Sequence, residues 1–248
     1  MDWFSTKNKH LKLNKMTGKL HFTVTFLFLM ALVSVTAQET SRTNQPGEKI
    51  RGSRFTPYPN YPGSPFLNDK FLLGELEFTD GSKISNIGLN YGTYRDELIY
   101  YNTTIATQIV IDITSLNGFT FRDAKGRKRV FRRLYFTGSF KGNCYFEILS
   151  EGQCSVLAYR KVNLEASDAY YSKTGMAYQP AYSYYLYDKT KGYSPVKINR
   201  KSLLTKFGKP DQKVIKKTLR KNGVIIVDEE SFIRAWDLIT EKGMVPSF

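Results

Sequence analysis

The chain has 248 residues, of which 37 are Lys or Arg and 22 are Asp or Glu, giving a formal charge of +15. Its two histidines, His10 and His21, both fall within the first 37 residues; the rest lacks an imidazole, which excludes Ser-His-Asp and Cys-His catalysis in their usual forms and His-containing zinc sites. There is no Walker loop, G-x-G-x-x-G, C-x-x-C or G-x-S-x-G, and neither a metal nor a cofactor is called for.

Residues 1–37 have the three parts of a secretory signal. Lys7, Lys9, Lys12, Lys15 and Lys19 form a basic start, Phe22 to Val35 is apolar, and Val35-Thr36-Ala37 is a cleavage-type ending that leaves Gln38 first. The apolar run of about 14 residues is shorter than the roughly 20 that span a bilayer, so no membrane span is expected after cleavage. Met16 offers an alternative start, and the absence of a Cys at the cleavage point argues against a lipoprotein. The expectation is an exported protein, periplasmic or secreted. A basic exported protein meets an envelope protein, an acidic glycan, a lipid headgroup or a cell-wall polymer rather than nucleic acid. The plainer alternative is charge that serves solubility alone.

Residues 38–62 are polar and punctuated by Pro57, Pro59 and Pro62, and read as a mobile, disordered arm. Residues 63–198 read as an antiparallel β domain. Leu72, Leu76 and Phe78 alternate with Glu75 and Glu77, and Asp80-Gly81 supplies a hairpin turn. The apolar parity changes between Ile84 and Ile87, which predicts a β-bulge at Ser85-Asn86. Strands follow over Asp96–Tyr101 and Gln108–Thr114, then at Phe119 and Phe121, a turn at Lys125-Gly126, and a strand over Val130–Phe136. The pattern is that of a sandwich, a meander or a partly closed barrel.

Tyr145 to Leu157 reads as a hairpin turning at Glu151-Gly152, with Phe146 facing Leu157. In that register Cys144 and Cys154 lie on opposite faces, and a one-residue slip leaves them about 13 Å apart, beyond disulfide reach. Two free thiols are expected despite the oxidising compartment. Between Ala169 and Tyr193 lie Tyr170, Tyr171, Tyr178, Tyr182, Tyr184, Tyr185, Tyr187 and Tyr193. They form either an aromatic surface for a sugar or peptide, or cross-strand packing along a hairpin closed by Asp188 to Gly192.

Residues 199–248 read as a helical C-terminal segment packed on the β domain. Lys201–Phe207 and Pro210–Asn222 are helical with Gly223 as the terminator, and Asp228 caps a last helix, Glu229–Glu241. Phe232, Ile233, Trp236 and Ile239 form its apolar stripe, with Trp236 as a core plug. The fold class is therefore mainly β with C-terminal helices (α+β), an antiparallel meander capped by two to three short helices.

The one motif-like charge cluster is Arg122, Lys125, Arg127, Lys128, Arg129, Arg132 and Arg133 around a single turn. It suits an anionic partner, or else forms a solvated loop. Glu75, Glu77, Asp96, Glu97 and Glu147 are the carboxylates from which a glycosidase would draw its pair. Gly63–Leu67 (GSPFL), Tyr91–Leu98 with its Asp96-Glu97-Leu98, Tyr145–Gly152 (YFEILSEG) and the closing helices together resemble an uncharacterised family of exported, β-rich bacterial proteins. The chain departs from that family at Leu89-Asn90-Tyr91-Gly92, where the family has Leu-Arg-Tyr-Asn. The resemblance implies a fold and export but no activity.

The function expected is an exported, non-catalytic binding or structural protein of the cell envelope that contacts an anionic polymer or a partner protein. The alternatives are a lipid or small-ligand carrier with a pocket in a curved sheet and, third, a glycoside hydrolase. Intact-mass measurement of the exported protein should place Gln38 at its N-terminus; a mass that includes Phe22 to Val35 would refute cleavage.

Overall fold

The computed structural model describes residues 49–167 and 175–247. The expected signal, the first part of the arm, and Tyr170 and Tyr171 lie outside the described residues. Thirteen strands are present among these residues: β1 (Gly52–Arg54), β2 (Leu72–Phe78), β3 (Lys83–Gly92), β4 (Glu97–Asn102), β5 (Thr107–Ile111), β6 (Leu116–Arg122), β7 (Lys128–Phe136), β8 (Gly142–Ser150), β9 (Ser155–Tyr159), β10 (Val162–Ala166), β11 (Met176–Pro180), β12 (Ser183–Asp188) and β13 (Gly192–Val196). Eleven form one antiparallel sheet in the order β1-β5-β4-β3-β2-β6-β7-β8-β9-β12-β13, and β10 pairs with β11 in a separate ribbon. Three helices follow, α1 (Arg200–Leu204), α2 (Lys209–Lys221) and α3 (Glu229–Thr240). The fold is mainly β with C-terminal helices, and its large sheet is not closed into a barrel.

The β2–β3 hairpin follows its sequence pattern. Gly81 takes the positive φ of the turn, and Leu76 and Phe78 are buried while Glu75 and Glu77 pair with Lys83 at the surface. The register passes from Gly74↔Ile87 to Glu75↔Ser85, which leaves Asn86 out of the ladder at φ 60. That is the expected bulge. It lets Ile84 and Ile87 both face the core across the change of parity.

Strong curvature of the sheet follows from one set of distances. β3 and β8 are four ladder steps apart, about 19 Å along a flat sheet. Yet the Tyr91 ring lies 5.4 Å from Phe131 and 6.0 Å from Tyr145. The space so enclosed is filled by Phe119 stacked on Phe131 at 4.6 Å, with Phe121 and Tyr145 against them. The turn between β3 and β4 then reaches across: Asp96 accepts hydrogen bonds from the Tyr91 hydroxyl and the Tyr145 N–H, and Val162 N–H donates to Thr93.

The described part of the expected arm packs against distant strands. β1 pairs with β5, Tyr178 N–H and its hydroxyl donate to Pro62 and Pro59, and Tyr58 donates to Glu97 at 2.8 Å. The reason is aromatic: Phe55, Tyr58 and Phe66 interlock, and Tyr58 lies over Gly92, where a Cβ would overlap its hydroxyl. Such contacts with distant strands leave no periodic trace in the segment itself.

The β8–β9 hairpin forms with a different register from the one expected. Ile148, not Phe146, faces Leu157, because the loop takes up four residues, 151–154, and Leu149 is bulged out. The free thiols stand: Cys144 is buried in an aromatic cluster on one face and Cys154 in the helix-covered core on the other. At the sheet's last edge Pro195 sits in β13, where its missing N–H discourages further pairing.

The helices end as their sequences predict. Gly223 (φ 62) terminates α2, with Val224 N–H bonded to Leu219 O and Gly223 N–H to Arg220 O, a Schellman motif. Asp228 and Ser231 make a capping box on α3. Phe232, Trp236 and Ile239 of α3 and Ile215 and Leu219 of α2 bury against Val156, Leu186 and Val196 of the sheet. No helix among the described residues is long and apolar enough to cross a membrane.

Burial raises Asp96 to about 6, against the opposing pull of Tyr91, the Tyr145 N–H and Lys161. Ionisation is therefore harder in the folded than in the unfolded chain. Its stability contribution is full below the ordinary value of 3.8 and is lost as pH rises through about 6. Asp96→Asn keeps a residue type that tolerates the left-handed φ of 61. Relative to the parent, its urea-unfolding free energy should gain on the order of 2 kcal/mol between pH 4 and pH 7; parallel pH profiles would contradict this.

Candidate functional site

Alternation along β8 places Tyr145, Glu147 and Leu149 on one face, and each meets a different environment. Tyr145 belongs to the curled core and Leu149 packs against the helix-covered core. Glu147, between them, is buried. Its neighbours in register are Phe131 of β7 and Ala158 of β9. Two residues along each neighbour, on the same face, stand Arg129 and Arg160.

Both guanidiniums grip this carboxylate. Arg129 is bidentate, Nε to Oε1 and Nη2 to Oε2, each at 2.6 Å, and Arg160 Nε reaches Oε2 at 2.6 Å. The rest of the Arg160 fork binds Glu229, the first residue of α3, at 2.9 and 2.8 Å. Arg160 also lies 5.0 Å over the Tyr182 ring, and Arg129 5.6 Å over Phe131. Burial alone would raise Glu147, but the two guanidiniums outweigh it and hold the carboxyl below its ordinary range. Arg160 is lowered by burial and raised more by Glu229 and Glu147, so it stays charged.

Above this network opens a cleft of about 390 Å³, lined by Arg127, Arg129, Arg160, Tyr182, Glu229 and Ile233 among others. Tyr182 also borders a second hollow of about 580 Å³, with Tyr185, Pro195 and Lys197. The cleft thus joins part of the basic turn to part of the tyrosine run.

The other predicted residues disperse. Strand alternation sends Lys128 and Arg132 toward Glu75 and Glu77 on the opposite face, and Arg132 reaches Glu77 at 3.5 Å. Arg122 donates to Gly126 O and Arg133 to Thr114 O. Lys125 and Arg127 remain at the exposed tip, which Asp123 organises by accepting from both backbone N–H groups and from Arg127 Nε. Among the tyrosines, Tyr178 is buried against Tyr61 and Tyr94. Tyr184 turns to the helices, whereas Tyr185, Tyr187 and Tyr193 pack with Phe136 and Phe146 on the other face. Most of the run is therefore cross-strand packing, and Tyr182 (39% exposed) is its member in the charged cleft.

Sequence reasoning missed Arg160 and Glu229. Arg160 had a signal: it follows Val156 and Ala158 at period two, a charge set on an apolar face. Glu229 had none, because what it does depends on where α3 docks.

Burial pushes Cys144 up to about 12 and Cys154 up to about 11, far from a reactive thiolate. Glu147 faces the cleft, but two guanidiniums hold it below its ordinary range, whereas a glycosidase acid needs its proton retained near neutral pH. No group of three Cys, Asp or Glu side chains among the described residues is placed to hold a metal. No family model, curated protein or solved structure matches the chain, so what the cleft does is argued from its geometry.

Removing Arg160 leaves Glu147 and Glu229 facing each other with one guanidinium lost. Arg160→Ala should cost about 3–5 kcal/mol in urea unfolding. Arg160→Lys should recover less than half, since one ammonium cannot span two carboxylates as a planar fork does. A loss below about 1 kcal/mol for the alanine variant would show the network to be dispensable.

Proposed function

We propose that the chain is an exported, non-catalytic binding protein of the bacterial cell envelope, and that its cleft holds a carboxylate-bearing glycan. The observation that carries this is the meeting of a basic turn, an oriented guanidinium and an exposed aromatic ring in one hollow. A sugar carboxylate would approach Arg127 and compete with the half-exposed Glu229 for the outer edge of Arg160. A pyranose ring would stack on Tyr182 and extend toward the neighbouring groove. Because Glu147, itself gripped by Arg129, holds Arg160 in place before any ligand arrives, little ordering is left to the binding step.

Support for export comes from the first 37 residues and the basic charge. A carrier with an enclosed apolar pocket is disfavoured by the aromatic packing that fills the curl of the sheet. A hydrolase is disfavoured by the pairing of both cleft carboxylates.

The test is titration calorimetry with oligogalacturonate. Saturable binding is expected, weakened by about 1–2 kcal/mol in Arg127→Gln and in Tyr182→Ala. No saturable binding, or unaltered affinity in both variants, would refute the assignment.

A further inference from the structure

Among the described residues, the strongest unspent charge lies away from the cleft, on α2. Lys209, Lys213, Lys216, Lys217, Arg220 and Lys221 are all exposed. None of them is in an ion pair with an acidic side chain among the described residues. At 3.6 residues per turn they occupy one continuous arc of about 140°, opposite the buried Ile215 and Leu219. This concentration exceeds what holding the helix requires, because the apolar stripe already docks it.

The chain leaving α2 adds a second feature. After the Schellman turn at Gly223 it runs extended, so Val224 and Ile226 point to the core while Ile225 and Val227 point out, 76% and 75% exposed. Val214, at the margin of the basic arc, is 48% exposed. Branched apolar side chains thus project from the C-terminal end of a polybasic helix.

We propose that α2 and the Ile225–Val227 segment form a docking surface for an anionic lipid bilayer. The cations complement the headgroup layer, and Ile225 and Val227 enter its acyl boundary. Five of the six cations are lysines, hydrated point charges that suit laterally mobile headgroups, rather than the fixed fork that reads a defined anion. A soluble polyanion would satisfy the charges but leave the two apolar side chains in water. A second copy of the chain would set the same cations against each other. The inference uses none of the cleft's residues and stands apart from the glycan assignment.

The experiment is cosedimentation of the chain from Gln38, which keeps the whole unit Pro46–Phe248 and omits the apolar leader. The vesicles are phosphatidylcholine alone, or phosphatidylcholine with about a third phosphatidylglycerol. Binding is expected to the anionic vesicles only. At about fivefold per cation, the variant K213Q/K216Q/K217Q/R220Q should bind at least about a hundredfold more weakly. I225S/V227S should lose about tenfold. All six changed positions are exposed, and matching thermal melts establish that the variants fold. Equal binding to both vesicle types, or to neither, overturns the proposal. So does an I225S/V227S variant that binds as the parent does, in which case retention on heparin that follows the lysines alone identifies a soluble polyanion. Arg127→Gln and Tyr182→Ala should leave vesicle binding unchanged, which separates failure here from failure of the cleft assignment.

Discussion

Glu147 is the point on which the two halves of the molecule turn. A carboxylate at that depth is costly unless its oxygens are fully engaged, and two guanidiniums engage them. Arg129 comes from β7, Arg160 from the end of β9, and through Arg160 the network reaches Glu229 at the start of α3. Apolar contacts such as those of Trp236 and Phe232 press the helix layer onto the sheet without dictating its position along it. The shared arginine supplies that position, since its fork meets both carboxylates only when α3 starts where it does.

The same network explains why a cleft exists. The curled core ends at Phe131 and Tyr145, and the helix-covered core begins at Leu149 and Val156. Between them the face carries guanidiniums and carboxylates, which keep water within reach instead of closing over one another as hydrocarbon would. Both cores are thus complete in themselves. The hollow is the seam, and its polar floor is structural before it is functional.

What could be read from the sequence was whatever a segment decides for itself. The bulge at Asn86 shows as a change of parity, the turn at Gly81 as Asp-Gly, and the ends of α2 and α3 as Gly223 and Asp228. Each is set by dihedral preference or by a side chain reaching its own backbone. The features that escaped are settled by distant partners. Residues 52–62 look structureless until Tyr58 finds Gly92 and Glu97. The shortest turn predicts Phe146 opposite Leu157, whereas a four-residue loop and a bulge at Leu149 set Ile148 there. The candidate site was half visible, because clustering in sequence is not clustering on a face: alternation divides Arg129 from Lys128 and Tyr184 from Tyr185.

Charge follows the same logic, and it separates the roles of the basic residues. Arginines near the sheet are spent on carboxylates or carbonyl groups: Arg129 and Arg160 on Glu147, Arg132 on Glu77, Arg133 on Thr114. Their planar forks suit fixed partners and tie strands together. The lysines of α2 answer to no acid among the described residues and sit on a helix whose apolar stripe already docks it. Folding gains nothing from six like charges on one arc, which repel one another at the spacing of a helical turn. Such a surface costs stability in the isolated chain, and that cost is recovered only when an opposing negative surface neutralises it.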